Sequence, residues 1–341
     1  MIEYLKELSE LKGPPGREEE VRNFIKKRLE EKGINFEEDF FGNVYVYKEG
    51  KNKTDLNIAI IAHIDEVGFI ITGYTQDGFL KFKPLGGLEA EILPGTEVEL
   101  LNGVKGVVSS VPPHKKSGVE YTFEKLVIDI GAYSKEEAKG KVDIGEEGVF
   151  LTKFEEIGKG VYKGKAFDDR AGSSILLSLI LDDTLPCDSA LIFTTQEETG
   201  LMGARIASKR KNIDLAFIIE GTFAFEPYHP EEEYYPKMGG GPVVTKMDRS
   251  LIVDEVLIKY IEKAALKNNI KFQWKIPLTG ATDAGVISLT NKGVKSCVIA
   301  VPCRYIHSKA SLLYEEDLVN TKKLLLKTLE EIYGENFKGI V

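Results

Sequence analysis

LNIAIIAHIDEVGFIIT, residues 56–72, holds a nearly continuous apolar run over 57–62 that stops at His63. A strand buried on both faces of a sheet reads this way, because neither face has to meet water. The run ends in His63-Ile64-Asp65-Glu66, so metal-type side chains sit at a strand terminus. In open α/β sheets ligands gather in the crevice beyond the carboxyl ends of the strands, which makes this terminus the first place to look for chemistry.

Upstream, Val21, Phe24, Ile25 and Leu29 recur at helical spacing after the polar run 17–20, and NVYVYK (43–48) reads as a strand. Downstream, the chain changes character between about 73 and 160. FLKFKP (79–84), TEVELL (96–101), KGVVSSV (105–111), KLVIDI (125–130) and EGVFLTKF (147–154) are short alternating segments between glycine-rich or charged turns. Beyond them helix and strand patterns alternate again. AGSSILLSLILDD (171–183), MGARIASKR (202–210), LIVDEVLIKYIEKAALKNN (251–269) and DLVNTKKLLLKTLEEIY (317–333) read as helices; ALIFTT (190–195), DLAFIIE (214–220) and VKSCVIAVP (294–302) read as strands. The simplest architecture is one α/β sheet domain, residues 1–72 and 160–341, interrupted by a small all-β insertion, residues 73–159.

Composition narrows the function classes. With 43% hydrophobic and 29% charged residues the 341-residue chain reads as globular, and no stretch approaches the roughly 20 apolar residues of a membrane span. No membrane partner is expected. A formal net charge of -9 argues against a phosphate backbone as partner, so no nucleic acid is expected either. Cys187, Cys297 and Cys303 form no CxxC pair, and the opening segment is an acidic amphipathic helix rather than a basic segment with an apolar core. A reducing, cytoplasmic location is the expectation.

The candidate site comes from where His and carboxylate residues fall. ALIFTT leads into Gln196-Glu197-Glu198, DLAFII into Glu220, and CVIAVP is followed by Arg304-Tyr305-Ile306-His307. Asp168-Asp169-Arg170 stands directly before a helix, where an acid also serves as a cap. Each alone reads as a surface or capping residue. Together, two of only four histidines and three carboxylates at strand ends or turns supply the ligands of a dinuclear site. Two cations about 3.5–4 Å apart need a bridging carboxylate, and one His with one further carboxylate completes each. Asp168 suits the bridge, His63 with Glu220 one metal, and Glu198 with His307 the other. Asp65, two residues from His63 along an extended strand, shares its face and would fix the imidazole tautomer. Glu197 is left as general base, beside the water that the metals activate. His114, His229 and Cys303 read as non-ligands, and Asp169 as a helix-start residue.

The segments AHIDEVGF, GKAFDDRAG, TTQEETGLMGA, Glu220-Gly221-Thr222, GATDAG (280–285) and RYIHS occur in an order that covers nearly the whole chain. Together they resemble the glutamyl and deblocking aminopeptidase family, the tetrahedral aminopeptidases, some members of which carry the label cellulase M or endoglucanase. The resemblance implies a zinc-peptidase-like α/β sandwich around a mixed sheet, with the inserted β domain PDZ-like and used in dimerisation. It implies two divalent ions per subunit, zinc or cobalt, held by His63, Asp168, Glu198, Glu220 and His307, with Glu197 as base and Asp65 behind His63. It further implies peptide substrates, and dimers that assemble into a tetrahedral dodecamer. Many members have Asp where this chain has Glu220. A related metal-dependent carboxypeptidase or deacylase is the alternative; an endoglucanase fits poorly, because glycoside hydrolysis needs a carboxylate pair and no metal cluster.

Overall fold

The computed structural model of the chain describes residues 1–109, 120–210, 212–226, 235–276 and 280–340. Helices α1 (Ile2–Glu10) and α2 (Glu19–Glu31) precede strands β1 (Glu37–Glu38), β2 (Val44–Lys48) and β3 (Ile58–His63). A run of short strands follows: β4 (Gly68–Tyr74), β5 (Leu80–Leu85), β6 (Glu97–Leu100), β7 (Lys105–Val108), β8 (Ile128–Asp129) and β9 (Glu147–Phe150), with helix α3 (Lys135–Lys139) ahead of β9. Next come β10 (Glu155–Gly158), β11 (Val161–Gly164), α4 (Phe167–Leu181), β12 (Ser189–Thr194), α5 (Met202–Arg210), β13 (Leu215–Phe223) and β14 (Val243–Thr245). The chain closes with α6 (Glu255–Lys267), β15 (Gln273–Lys275), α7 (Asp283–Ser288), β16 (Lys295–Arg304), β17 (Ser311–Tyr314) and α8 (Glu315–Gly334).

Among the described residues eleven strands form one mixed sheet in the order β1-β2-β12-β3-β13-β16-β17-β11-β10, with β14 paired to β16 and β15 paired to β14. Its centre, β12-β3-β13-β16, is parallel, which is why these strands are apolar without alternation: all six residues of β3 are buried. Helix α4 packs against β3 and β13, and Gly172 lets it lie close, since an added Cβ there would meet the Ile219 carbonyl oxygen at 2.6 Å. Leu5, Ile25, Ile60, Phe167, Phe217 and Leu325 belong to the single apolar core that results, each contributing about 1.5–3 kcal/mol by leaving water.

The six strands from β4 to β9 close on themselves as an antiparallel barrel, with a separate core around Phe69, Phe82, Val98 and Ile128. The barrel starts earlier than residue 73. Past His63 the chain leaves the large sheet, and Phe69 and Ile71 alternate into the barrel while Thr72 faces out, so FIIT begins a new strand rather than ending an old one. At the other edge β10 lies in the large sheet, paired with β11.

Two further expectations shift. β13 continues past Glu220 to Phe223, because β16 pairs with it as far as Cys303. The helix expected from residue 251 starts at Glu255, where Asp254 caps it by accepting the Val256 amide at 2.8 Å. Among the described residues no helix is long and apolar enough to cross a membrane.

Candidate metal centre

The parallel register brings the strand ends level. Thr194, the last residue of β12, pairs with His63, the last of β3, so the segment 195–198 emerges beside the segment 64–66. Glu220 points into the same crevice from β13, and His307 reaches it from the turn after β16. Tyr305 and His307 both have left-handed backbone, at φ 60° and 55°, an arrangement that costs non-glycine residues about 1 kcal/mol or more and is typical of functional turns.

Asp168 lies at the middle of the cluster. The first turn of α4 is unwound at Asp168 and Asp169, and their peptide bond is cis. One Asp168 oxygen faces His63 Nε2 at 3.4 Å and the other faces His307 Nε2 at 3.3 Å. Glu220 stands 3.8 Å from the His63 nitrogen, and Glu198 stands 3.3 Å from the His307 nitrogen. Two ligand-like groups result, His63-Asp168-Glu220 and Asp168-Glu198-His307, each with its donor atoms within 4.8 Å of one another.

The electrostatics of this cluster call for cations. Burial would raise the Asp168 pKa, but the two imidazoles beside it hold it well below the usual carboxylate range. Burial pushes Glu220 far up, helped by the charges of Asp169, Glu197 and Asp168. Both histidines, which burial alone would discharge, are held up instead: His63 by Asp168 and Asp65, and His307, to about 11, by Glu198 and Asp168. Glu198 Oε1 and Glu220 Oε1 are buried without a hydrogen-bond partner. Buried acceptors left unmatched are costly, and a set of two imidazoles and three carboxylates suits borderline divalent ions, so these residues fit such ions.

Asp65 lies beyond the strand that was expected to carry it, because β3 ends at His63. Its Oδ1 is nonetheless 3.3 Å from His63 Nδ1. Its second contact was not legible in the sequence: the Glu197 and Glu198 amides donate to its two oxygens at 2.9 and 3.1 Å. Glu197 belongs to neither ligand group. It lines the cleft, and burial with the nearby charges of Asp283, Glu198 and Asp65 raises its pKa well above the usual range.

Asp169 does cap, accepting the Gly172 amide at 2.9 Å, but it also accepts the His63 amide at 3.3 Å and so pins α4 to the end of β3. Behind both segments sits a buried ionic cluster that no motif signalled. Glu66 Oε1 lies 2.5 Å from Lys165 Nζ and 3.5 Å from Arg170, and also accepts the Gly13 amide. His307 Nδ1 sits 3.1 Å from the carbonyl oxygen of Gly87, on a loop of the barrel. His114 and His229 lie outside the described residues; Cys303 is a buried thiol.

The cleft has a volume of about 560 Å³, and its wall includes Arg205, Arg249, Lys275, Gly280 and Thr282 beside the candidate ligands. A second cavity of about 450 Å³, lined by Phe36, Tyr47, Leu56 and Asn212, opens at the other end of the strands, away from both ligand groups.

Residues 42–324 match the family described as M42 glutamyl aminopeptidase. The chain is 34% identical to a putative aminopeptidase of Acetivibrio thermocellus over 96% of this chain and 98% of that one. Its fold is similar to that of the TET aminopeptidase of Thaumarchaeota archaeon SCGC AB-539-E09, with a TM-score of 0.91 and 32% identity over 100% and 99% of the two chains. It is also similar to the TET1 peptidase of Pyrococcus horikoshii, described as assembling into a tetrahedron or a large octahedral shell, with a TM-score of 0.84 and 31% identity over 96% and 98%.

Proposed function

This chain belongs to the M42 glutamyl aminopeptidase family, and from that premise we propose that it removes N-terminal residues from peptides at a centre for two divalent ions, zinc or cobalt. His63 and Glu220 would hold one ion, Glu198 and His307 the other, and Asp168 both. The observation that carries this reading is the division of Asp168, whose two oxygens face the two histidines separately at 3.4 and 3.3 Å.

The ions, when bound, supply Lewis acidity toward the peptide carbonyl and toward water. The chain supplies the rest. Glu197, free of both ligand groups and facing the cleft, takes a proton from the attacking water and returns it to the leaving amine. Asp65 holds the two residues that divide this labour, by their amides. Arg205, Arg249 and Lys275 give the wall a positive character that favours an acidic side chain in the substrate.

We take the barrel, 68–150, as the inserted domain, PDZ-like and used for dimerisation, with dimers joining into a dodecamer in the cytoplasm. The tetrahedron described for the Pyrococcus protein and a fold match over nearly the whole chain support this assembly.

The test is a panel of aminoacyl anilides on metal-stripped protein, with Zn²⁺, Co²⁺ and Mn²⁺ added back. Free-amine substrates should be cleaved only after metal is restored. Cleavage confined to N-acetylated substrates would instead favour a deacylase.

A further inference from the structure

Three successive amides of the segment that carries the proposed base point at buried acids from two distant parts of the chain. Gln196 N donates to Glu18 Oε1 at 3.2 Å, and Glu197 and Glu198 donate to Asp65 at 2.9 and 3.1 Å. Neighbouring N–H groups converge on acids in this way where one residue turns left-handed, and Gln196 does so, at φ 52°. A side chain other than glycine stays in that region only when its surroundings hold it there.

Glu18 is placed for that task. Its neighbours Glu19 and Glu20 are exposed, whereas Glu18 is 2% exposed. It stands at the start of α2, yet its side chain makes no capping bond to that helix. Its Oε1 also accepts the Gly16 amide at 2.7 Å, so a second main-chain donor holds the oxygen that meets Gln196. Burial pushes its pKa up to about 7, so keeping an acid here has a cost that an apolar residue would not incur.

We infer that Glu18 is a positioning residue that holds Gln196 left-handed and thereby aims Glu197 into the cleft and Glu198 toward His307 and Asp168. The inference rests on the aminopeptidase reading for what Glu197 does, but the geometry concerns Glu198 as well. Only the Asp168-Glu198-His307 group depends on the 196–198 segment; His63 and Glu220 stand on β3 and β13.

Metal-free wild type, Glu18→Gln and Glu18→Ala are titrated with Zn²⁺ by calorimetry, without substrate, and then assayed on an aminoacyl anilide. Glu18→Ala should weaken one of the two Zn²⁺ equivalents by about 10–100-fold, the range seen when a ligand's support is removed, and leave the other unchanged. It should lower kcat with little change in KM. Glu18→Gln keeps a carbonyl acceptor and should behave like wild type. A purely structural peg predicts a lower Tm with wild-type titration and kcat, and that result overturns the proposal, as does equal loss in both variants. If Glu18→Ala does not fold, Glu18→Asp replaces it: one methylene too short for Gln196, it should weaken the same equivalent, and unchanged binding would refute the inference. If wild type binds Zn²⁺ but cleaves no anilide, the aminopeptidase reading fails while the titration still decides the role of Glu18.

Discussion

Asp65 accepts the main-chain amide of Glu197 at 2.9 Å while the same oxygen lies 3.3 Å from His63 Nδ1, so one carboxylate meets a proposed ligand and the proposed base. Replacing it with Asn puts an NH₂ group opposite one of two amide donors that need acceptors. Asp65→Asn should lose about 10–100-fold in metal affinity, read by titration of the metal-free protein. Unaltered affinity would mean that Asp65 only fills space.

Glu197→Gln separates ligation from proton transfer. Metal content, measured by elemental analysis, should match wild type, while kcat falls by about 10²–10⁴-fold. Full activity with both metals bound would remove Glu197 from the mechanism.

Glu66 is the anion between two buried cations, Lys165 and Arg170. Glu66→Gln removes the nearest counter-charge of both, and breaking a buried pair typically costs about 3–5 kcal/mol. Urea unfolding at neutral pH should register that loss. A change below about 1 kcal/mol, the level of an exposed ion pair, would show the cluster to be well hydrated.

Lys275 lines the cleft, and its ammonium donates to the Thr222 hydroxyl at 3.1 Å, with no carboxylate within ion-pair distance among the described residues. Burial lowers its pKa. If it receives an acidic substrate side chain, Lys275→Met should raise KM for a glutamyl anilide by about tenfold or more and spare an alanyl one, since charged hydrogen bonds contribute about 1.5–3 kcal/mol. Equal effects on both substrates would contradict the acidic preference.

Asp317 offers a pH test away from the metal centre. It accepts the Gly239 and Gly241 amides at 2.5 and 2.8 Å, yet burial raises its pKa from 3.8 to about 6. The folded state therefore holds the proton more tightly than the unfolded one. The stability this contributes is complete below pH 3.8 and is lost as pH rises through about 6. The difference in unfolding free energy between wild type and Asp317→Asn should change with pH across this window and level off above it. A constant difference would contradict the shift.

The sheet was legible because its central strands are apolar on both faces, and the strand ends then pointed to His63, Glu198 and Glu220. The structure brings these together with Asp168 and His307. Glu18 was not legible: within Arg17-Glu18-Glu19-Glu20 it is chemically identical to its exposed neighbours, and only a tertiary contact with Gln196 sets it apart. Lys165 and Arg170 were hidden for the same reason, since a buried cation leaves no periodic trace. The barrel starts before the expected boundary at 73 because Phe69, Ile70 and Ile71 follow closely on the first strand, although the chain has already turned away from the large sheet.

Gly87 ties the barrel to the candidate metal centre. Its carbonyl oxygen lies 3.1 Å from His307 Nδ1, and a Cβ added to it would come within 2.9 Å of that nitrogen. The barrel is therefore no detachable ornament for protein engineers. A transplant between relatives, or a trimmed minimal enzyme, has to carry the 86–87 loop along, or the imidazole loses the partner of its Nδ1 and is held from the Nε2 side alone.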